Sequence, residues 1–289
     1  MKLTATDQKN TSSCSQTIVQ ALAWANRTIE AIDARILLQH ALQVNHAFLL
    51  THAEDKLTAI QIKQFSNLVN QRADGMPVAY LTGQREFYDL IFKVTPAVLV
   101  PRPETELLVE LALETITENR PYSVLDLGTG SGAIAITIAK HRPQANVVAV
   151  DLSNDAVSIA QRNAHNLGTK NVCVIQSNWF EQLDADAKFD LIVANPPYVA
   201  ENDPHLQQGD LRFEPPLALS TADNGLSCIR HIIANAATFM IDGGRLLLEH
   251  GHDQSADCRQ LLEASGFQRI KAHRDLAGID RVCDSYYFV

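Results

Sequence analysis

The chain has 289 residues, room for one large or two ordinary domains, and its hydrophobic content of 46% is enough for a sizeable core. No apolar run approaches membrane-spanning length, Met1–Gln8 lacks the apolar core of a signal peptide, and the cysteines (Cys14, Cys173, Cys228, Cys258, Cys283) are scattered without metal or disulfide spacing. A net charge of −9 with no dense Lys/Arg run weighs against stable nucleic-acid binding, which depends on neutralising phosphates. A reducing cytoplasmic location, no membrane, no metal and, by default, a monomer are expected. The acidic total is compatible with a basic protein partner.

Residues 1–13 are polar and read as a mobile terminus. From about 14 to 75 the apolar spacing is helical. Ile18, Leu22 and Ala23 mark one face. Ala31, Ile36, Leu37, Leu38, Ala41 and Leu42 mark a second helix. Thr58 and Gln61 form a capping box that opens a third helix carrying Ile60, Ile62, Phe65, Leu68 and Val69 and stopping near Gly75. Residues 1–75 are thus a small helical domain, with stripes better suited to a core than to a binding surface. Residues 76–103 read as a β-hairpin connector, from the alternation in Leu90–Val94 and Val98–Val100 and the turn residues before them. From 104 to 289 strands and helices alternate, the pattern of a parallel sheet covered on both faces. Two final strands, Phe267–Ala272 and Arg281–Val289, suggest an antiparallel hairpin at one edge.

Val124–Leu127 is a short buried strand followed by Gly128-Thr129-Gly130-Ser131-Gly132, a turn into a helix. Glycine suits a backbone at positive φ or in close approach to a ligand. The next strand, Asn146–Val150, ends in Asp151, placed to accept both hydroxyls of a ribose. Gly128, Gly130 and Ala133 also satisfy the loose dinucleotide pattern, so the loop alone leaves an NAD enzyme open. Asp126, just before the loop, suits the amino-acid end of S-adenosylmethionine. After a third strand, Val172–Gln176, Trp179 suits stacking on adenine and Asn178 suits its polar edge. Trp179 reads equally well as a core aromatic.

The strand Phe189–Ala194 ends in Asn195-Pro196-Pro197-Tyr198. The prolines donate no N–H and lock φ, so the chain leaves the sheet with unclaimed carbonyls. The plainer reading is a strand stop. The chemical reading is a seat for a planar –NH2 group, with in-plane acceptors from Asn195 Oδ1 and the Pro196 carbonyl and the Tyr198 ring against it. The tetrapeptide resembles the substrate-amine signature of methyltransferases that alkylate planar nitrogens, on nucleic-acid bases or on glutamine. His250 and His252 read as loop residues, since no further metal ligands accompany them.

Beyond these motifs, Gly83-Gln84-Arg85-Glu86-Phe87, Val100-Pro101-Arg102-Pro103-Glu104-Thr105-Glu106 and His205–Pro215 complete a resemblance to the bacterial release-factor glutamine methyltransferases of the PrmC/HemK type. The resemblance covers the connector and nearly all of the catalytic part. It implies a Rossmann-like class I methyltransferase sheet behind a substrate-gripping helical domain. It also implies S-adenosylmethionine as donor and methyl transfer to the N5 amide of the glutamine in the Gly-Gly-Gln loop of class I release factors. Donor contacts would come from Asp126, Gly128–Gly132, Asp151, Asn178, Trp179 and Asn195. Substrate contacts would come from Asn195, Pro196, Pro197 and Tyr198, joined by Phe87 and Arg102 from the connector. His205–Pro215 would form a wall or lid. Asn178 departs from the aspartate usual in that family, which implies differently tuned donor binding. A DNA or RNA exocyclic-amine methyltransferase is the alternative, but it would need a basic groove and a route for a flipped base.

Overall fold

The computed structural model describes residues 16–117 and 120–289; the polar N-terminal segment and Cys14 lie outside them. The chain divides into two compact units at Thr82/Gly83. The first contains α1 (Ile18–Ala25), α2 (Ala31–Leu42), α3 (His46–Thr51), α4 (Ala59–Ala73) and α5 (Val78–Thr82). The capping box at Thr58–Gln61 is present, and a second one, Thr17–Gln20, opens α1. Ile18, Leu37, Leu38, Leu49, Phe65 and Val69 form the core. Four assigned core positions are corrected. Ala23, Ala31 and Ile36 are exposed, and Ile60 is 71% exposed, because each lies out of phase with the buried stripe of its helix.

The second unit begins with β1 (Gln84–Phe87) and β2 (Leu90–Lys93), an antiparallel hairpin with Phe87 opposite Leu90. Phe87 and Phe92 meet edge to face at 6.1 Å within this unit's core, so the hairpin belongs to it. Val98–Val100 is loop, not strand: Val98 N–H closes a turn on Thr95, and Val100 N–H donates to Glu214 Oε2 at 3.1 Å. A 3-10 turn, Pro103–Thr105, leads into α6 (Glu106–Thr115). Then follow β3 (Ser123–Leu127), α7 (Ala133–His141), β4 (Asn146–Asp151), α8 (Asn154–Leu167), β5 (Val172–Gln176), β6 (Phe189–Ala194) and β7 (Val199–Ala200). The chain ends with α9 (Pro216–Leu219), β8 (Ser220–Thr221), α10 (Ser227–Ala236), β9 (Met240–Glu249), α11 (Ser255–Ala264), β10 (Gln268–Arg274) and β11 (Asp280–Tyr287).

Among the described residues the main sheet has seven strands in the order β10-β11-β9-β6-β3-β4-β5. β9, β6, β3, β4 and β5 run parallel, and β11 and β10 are antiparallel at one edge. The strand period of two divides the core. Val124, Leu191, Val193 and Leu247 face α6, α7 and α8. Leu125, Ile192, Leu246 and Leu248 face α10 and α11. With both faces covered, the central strands are almost uninterrupted apolar runs. The order reverses about β3, which has β4 on one side and β6 on the other. The carboxyl ends of these strands therefore open a crevice at the switch point, where doubly wound sheets bind ligands.

Candidate active site

The loop after β3 is shaped by three left-handed glycines, Gly128 (φ +74), Gly130 (φ +55) and Gly132 (φ +84). They serve different needs. A Cβ on Gly132 would meet Ile136 Cδ1 at 2.5 Å, so this glycine lets the loop close on α7. At Gly130 a Cβ would meet nothing within 4 Å, so the backbone there is bare toward the crevice. Asp126 lies beneath the loop. Its Oδ2 accepts from Thr129 Oγ1 at 2.6 Å and from Ala135 N–H at 3.3 Å. Burial pushes this carboxyl up to about 7, and Oδ1 has no hydrogen-bond partner.

Asp151 ends β4 on the crevice wall. Its Oδ2 accepts from Gly130 N–H at 2.8 Å and its Oδ1 from Ser153 N–H at 2.9 Å. Desolvation raises its pKa even so. The Leu152 N–H also stands against this carboxylate, which braces the loop and retains acceptor capacity for a hydroxyl. Trp179, itself at φ +52, lays its ring beside Gly128. The crevice is lined by Gly128, Gly130, Asp151, Ser177, Trp179, Asn195 and Pro197, among others.

Across the crevice, β6 ends at Asn195. Its Nδ2 donates to Thr105 Oγ1 at 3.0 Å, which leaves Oδ1 available. The Pro196 carbonyl accepts no backbone hydrogen bond among the described residues. Tyr198 turns its hydroxyl inward to donate to Glu249 Oε1 at 3.3 Å. Burial pushes the phenol pKa up, and the Glu249 carboxylate adds to the effect. The Tyr198 carbonyl accepts from Gln254 Nε2 at 3.0 Å. Gly225 packs so tightly on that carbonyl that no side chain fits.

The structure thus brings Gly128, Gly130, Asp151, Trp179, Asn195 and Pro197 to one crevice. Asp126, Thr129, Ser131, Gly132, Asn178, Pro196 and Tyr198 are not on its wall. The first four build the loop from behind, and Asn178 donates to Glu181 Oε1 at 2.6 Å. One expected substrate contact is corrected. Phe87 is 1% exposed and packs in the core. Arg102 commits its guanidinium to an ion pair with the buried Glu214. Glu214 also takes Val100 N–H, so it fastens the segment after β7 to the stretch before α6. His250 is buried rather than solvated, its Nδ1 2.8 Å from the Gly251 carbonyl.

Sequence reasoning missed Leu152, Ser153, Leu217, Thr221 and Cys228 on the wall, and Thr105, Glu214 and Glu249 behind it. Glu249 carried a visible signal, as a carboxylate closing the apolar run Leu246-Leu247-Leu248.

Residues 104–210 match the family model described as Methyltransferase small domain, and residues 15–83 match the one described as PrmC N-terminal domain. The crystal structure of a methyltransferase from Pyrococcus furiosus shares the fold, with a TM-score of 0.54 at 16% identity over 78% of this chain and 100% of that one. The protein is therefore a methyltransferase built on a Rossmann-like sheet, preceded by a helical N-terminal unit. Its relatives narrow the class. The release factor glutamine methyltransferase of Escherichia coli is 48% identical over 89% of this chain and 92% of its own length. The protein of the same name from Xylella fastidiosa is 49% identical over 91% and 96%. The chain belongs to the release factor glutamine methyltransferase family.

Proposed function

We propose that the protein methylates the N5 amide of the glutamine in the Gly-Gly-Gln loop of class I release factors, with S-adenosylmethionine as donor, and so modulates translation termination. The observation that carries the reading is Asn195: its amide is held at the Nδ2 end by Thr105, and it lines the same crevice as Gly130 and Asp151. That crevice fits the donor. Asp151 retains acceptor capacity for a ribose, Trp179 offers a flat face beside Gly128, and Gly130 leaves the backbone open. When bound, the donor supplies a methyl group already activated on a sulfonium sulfur.

An amide nitrogen is a weak nucleophile, so the protein's task is orientation and stabilisation of positive charge growing on that nitrogen. Asn195 Oδ1 and the Pro196 carbonyl accept the two amide hydrogens and aim the nitrogen. Tyr198 stiffens the corner through Glu249 and Gln254 and sets its ring against the amide. The methylated nitrogen is acidic enough to lose a proton without a dedicated base. Asn178, held by Glu181, tunes the adenine end. The enzyme acts as a cytoplasmic monomer on a protein substrate. No helix among the described residues is long and apolar enough to cross a membrane.

The test is transfer of labelled methyl from S-adenosylmethionine to three acceptors: a class I release factor, the same factor with its loop glutamine changed to alanine, and duplex DNA. Label on the first alone is expected. Label on DNA and none on the factor would overturn the reading in favour of a nucleic-acid amino-methyltransferase.

A further inference from the structure

Part of the crevice wall stands at the ends of sheet strands, and part does not. Val98 and Leu99 come from the loop before α6, and Pro215, Leu217 and Ala218 come from the segment between β7 and β8. Neither stretch belongs to the main sheet, so the sheet does not fix the distance between them. The segment between β7 and β8 is fastened at its neck. Val199 pairs with Ser220 and Ala200 with Thr221, and Gln254 Nε2 donates to the Tyr198 and Asn224 carbonyls at 3.0 and 3.3 Å. Beyond the neck, no residue from Glu201 to Phe213 is buried, so the apolar burial that usually holds a loop in place is weak there. Glu214 is the first buried residue, and its side chain is fully shielded. A carboxylate in such a place is costly unless it is paired. Oε2 accepts from Val100 N–H at 3.1 Å, and Oε1 pairs with the Arg102 guanidinium. Both oxygens thus engage the stretch that directly follows Val98 and Leu99, while Glu214 directly precedes Pro215. Prolines stiffen both halves: Pro101 and Pro103 flank Arg102, and Pro215 and Pro216 follow Glu214. Their fixed φ lets these short stretches transmit position rather than flex.

We infer that Glu214 is a positioning residue: its buried carboxylate clasps the loop before α6 to the segment after β7 and so sets the width of the crevice that takes the methyl donor. This deepens the functional reading above and rests on it for the donor's identity. The side chains it positions, Val98, Leu99, Pro215, Leu217 and Ala218, are apolar. An apolar wall holds the ground state and the transition state alike, so its loss shows in binding more than in turnover. Removing the carboxylate leaves Val100 N–H and the Arg102 guanidinium without their acceptor. Removing Arg102 leaves a buried charge with one backbone donor. Either change opens the same link.

The test measures affinity for S-adenosylhomocysteine by calorimetry in wild type, Glu214→Ala, Arg102→Ala, the double variant and Arg102→Lys. Glu214→Ala should weaken binding roughly 10–150-fold, the fold-change of one lost hydrogen bond to a charged group. The double variant should bind within about threefold of Glu214→Ala, because the two side chains act through one link. Arg102 meets Glu214 through a single nitrogen, so Arg102→Lys, which keeps the cation, should bind more tightly than Arg102→Ala. With a class I release factor as acceptor, KM for S-adenosylmethionine in Glu214→Ala should rise by a similar factor, and kcat should fall far less. Hydrogen exchange at the Val100 amide should be faster in Glu214→Ala than in wild type. Wild-type affinity in Glu214→Ala overturns the inference. So do single effects that simply multiply in the double variant, or a kcat that falls while KM stays the same. Should Glu214→Ala fail to fold, Arg102→Ala, whose side chain is partly exposed, carries the test, and unchanged affinity there overturns the inference. If wild type binds S-adenosylhomocysteine but methylates no release factor, only the functional reading fails, and calorimetry still decides the clasp. If wild type binds none, both fail.

Discussion

Two glycines of the loop after β3, Gly130 and Gly132, separate folding from binding. In Gly132→Ala the residue stays at φ +84, which costs roughly 1–2 kcal/mol for a residue with a Cβ. The new methyl also lies 2.5 Å from Ile136 Cδ1 and 3.2 Å from Ala160 Cβ. Ile136 and Ala160 are fully buried, so neither can swing aside, and overpacking of this kind costs about 1–3 kcal/mol more. The sum, about 2–5 kcal/mol, is a large part of the roughly 5–15 kcal/mol that holds a domain together. In Gly130→Ala the backbone term is similar at φ +55, but the methyl meets nothing. Stability should fall by only about 1–2 kcal/mol. That methyl stands at the donor crevice instead, and donor affinity should drop by about 1–3 kcal/mol, roughly 5–150-fold. Urea unfolding gives the first quantity, and calorimetry with S-adenosylhomocysteine gives the second. A Gly132→Ala protein as stable as wild type, or a Gly130→Ala protein that binds normally, would refute the division of labour.

Three further outcomes follow from the site. Asn195→Ala should lower kcat by about 10²-fold or more, as loss of one charge-stabilising group does, with donor affinity little changed; near-normal turnover would remove Asn195 from the chemistry. Asp151→Ala should weaken donor binding by roughly 1.5–3 kcal/mol, and unchanged calorimetric affinity would count against its contact with the ribose. Asp126 has a folded pKa of about 7, above its ordinary 3.8, so its contribution to stability is complete below the ordinary value and is lost as pH rises through 7. Asp126→Asn keeps an acceptor for Thr129 and should reduce the fall in stability between roughly pH 4 and 7. The reduction should be partial, because Glu249 is shifted the same way. Equal slopes in urea unfolding for the two proteins would refute the assignment.

The legible parts of this fold were those whose cause is local. β6 reads as a strand because both of its faces are buried, and its end reads as an end because two prolines follow. The hairpin at the sheet edge shows in the last strands because too few residues separate them for a helical crossover. α3 and α5 span six and five residues, too short for a helical period to declare itself. Val98–Val100 has the alternation of a strand, but its backbone is satisfied by a carboxylate 114 residues further on. No window of sequence contains that fact.

The site divides along the same line. Gly128, Gly130, Asp151 and Asn195 stand at strand ends, and a strand end in a parallel sheet is already an address. Phe87 was misplaced because a motif shows which residues travel together, not which of them touch a ligand. Phe87 fills the core and Arg102 holds Glu214. Thr105 reaches Asn195 across 90 residues and Tyr198 reaches Glu249 across 51, so the chain that orients the amide seat is invisible until the fold closes. What the sequence does display is the anomaly. A carboxylate ending the run Leu246-Leu247-Leu248 weakens packing wherever it is buried without a cation, and Glu249 has none in direct contact among the described residues. Its one hydrogen-bond partner is the Tyr198 hydroxyl, so the cost of burying this carboxylate is met, as far as it is met, at the corner that follows β6.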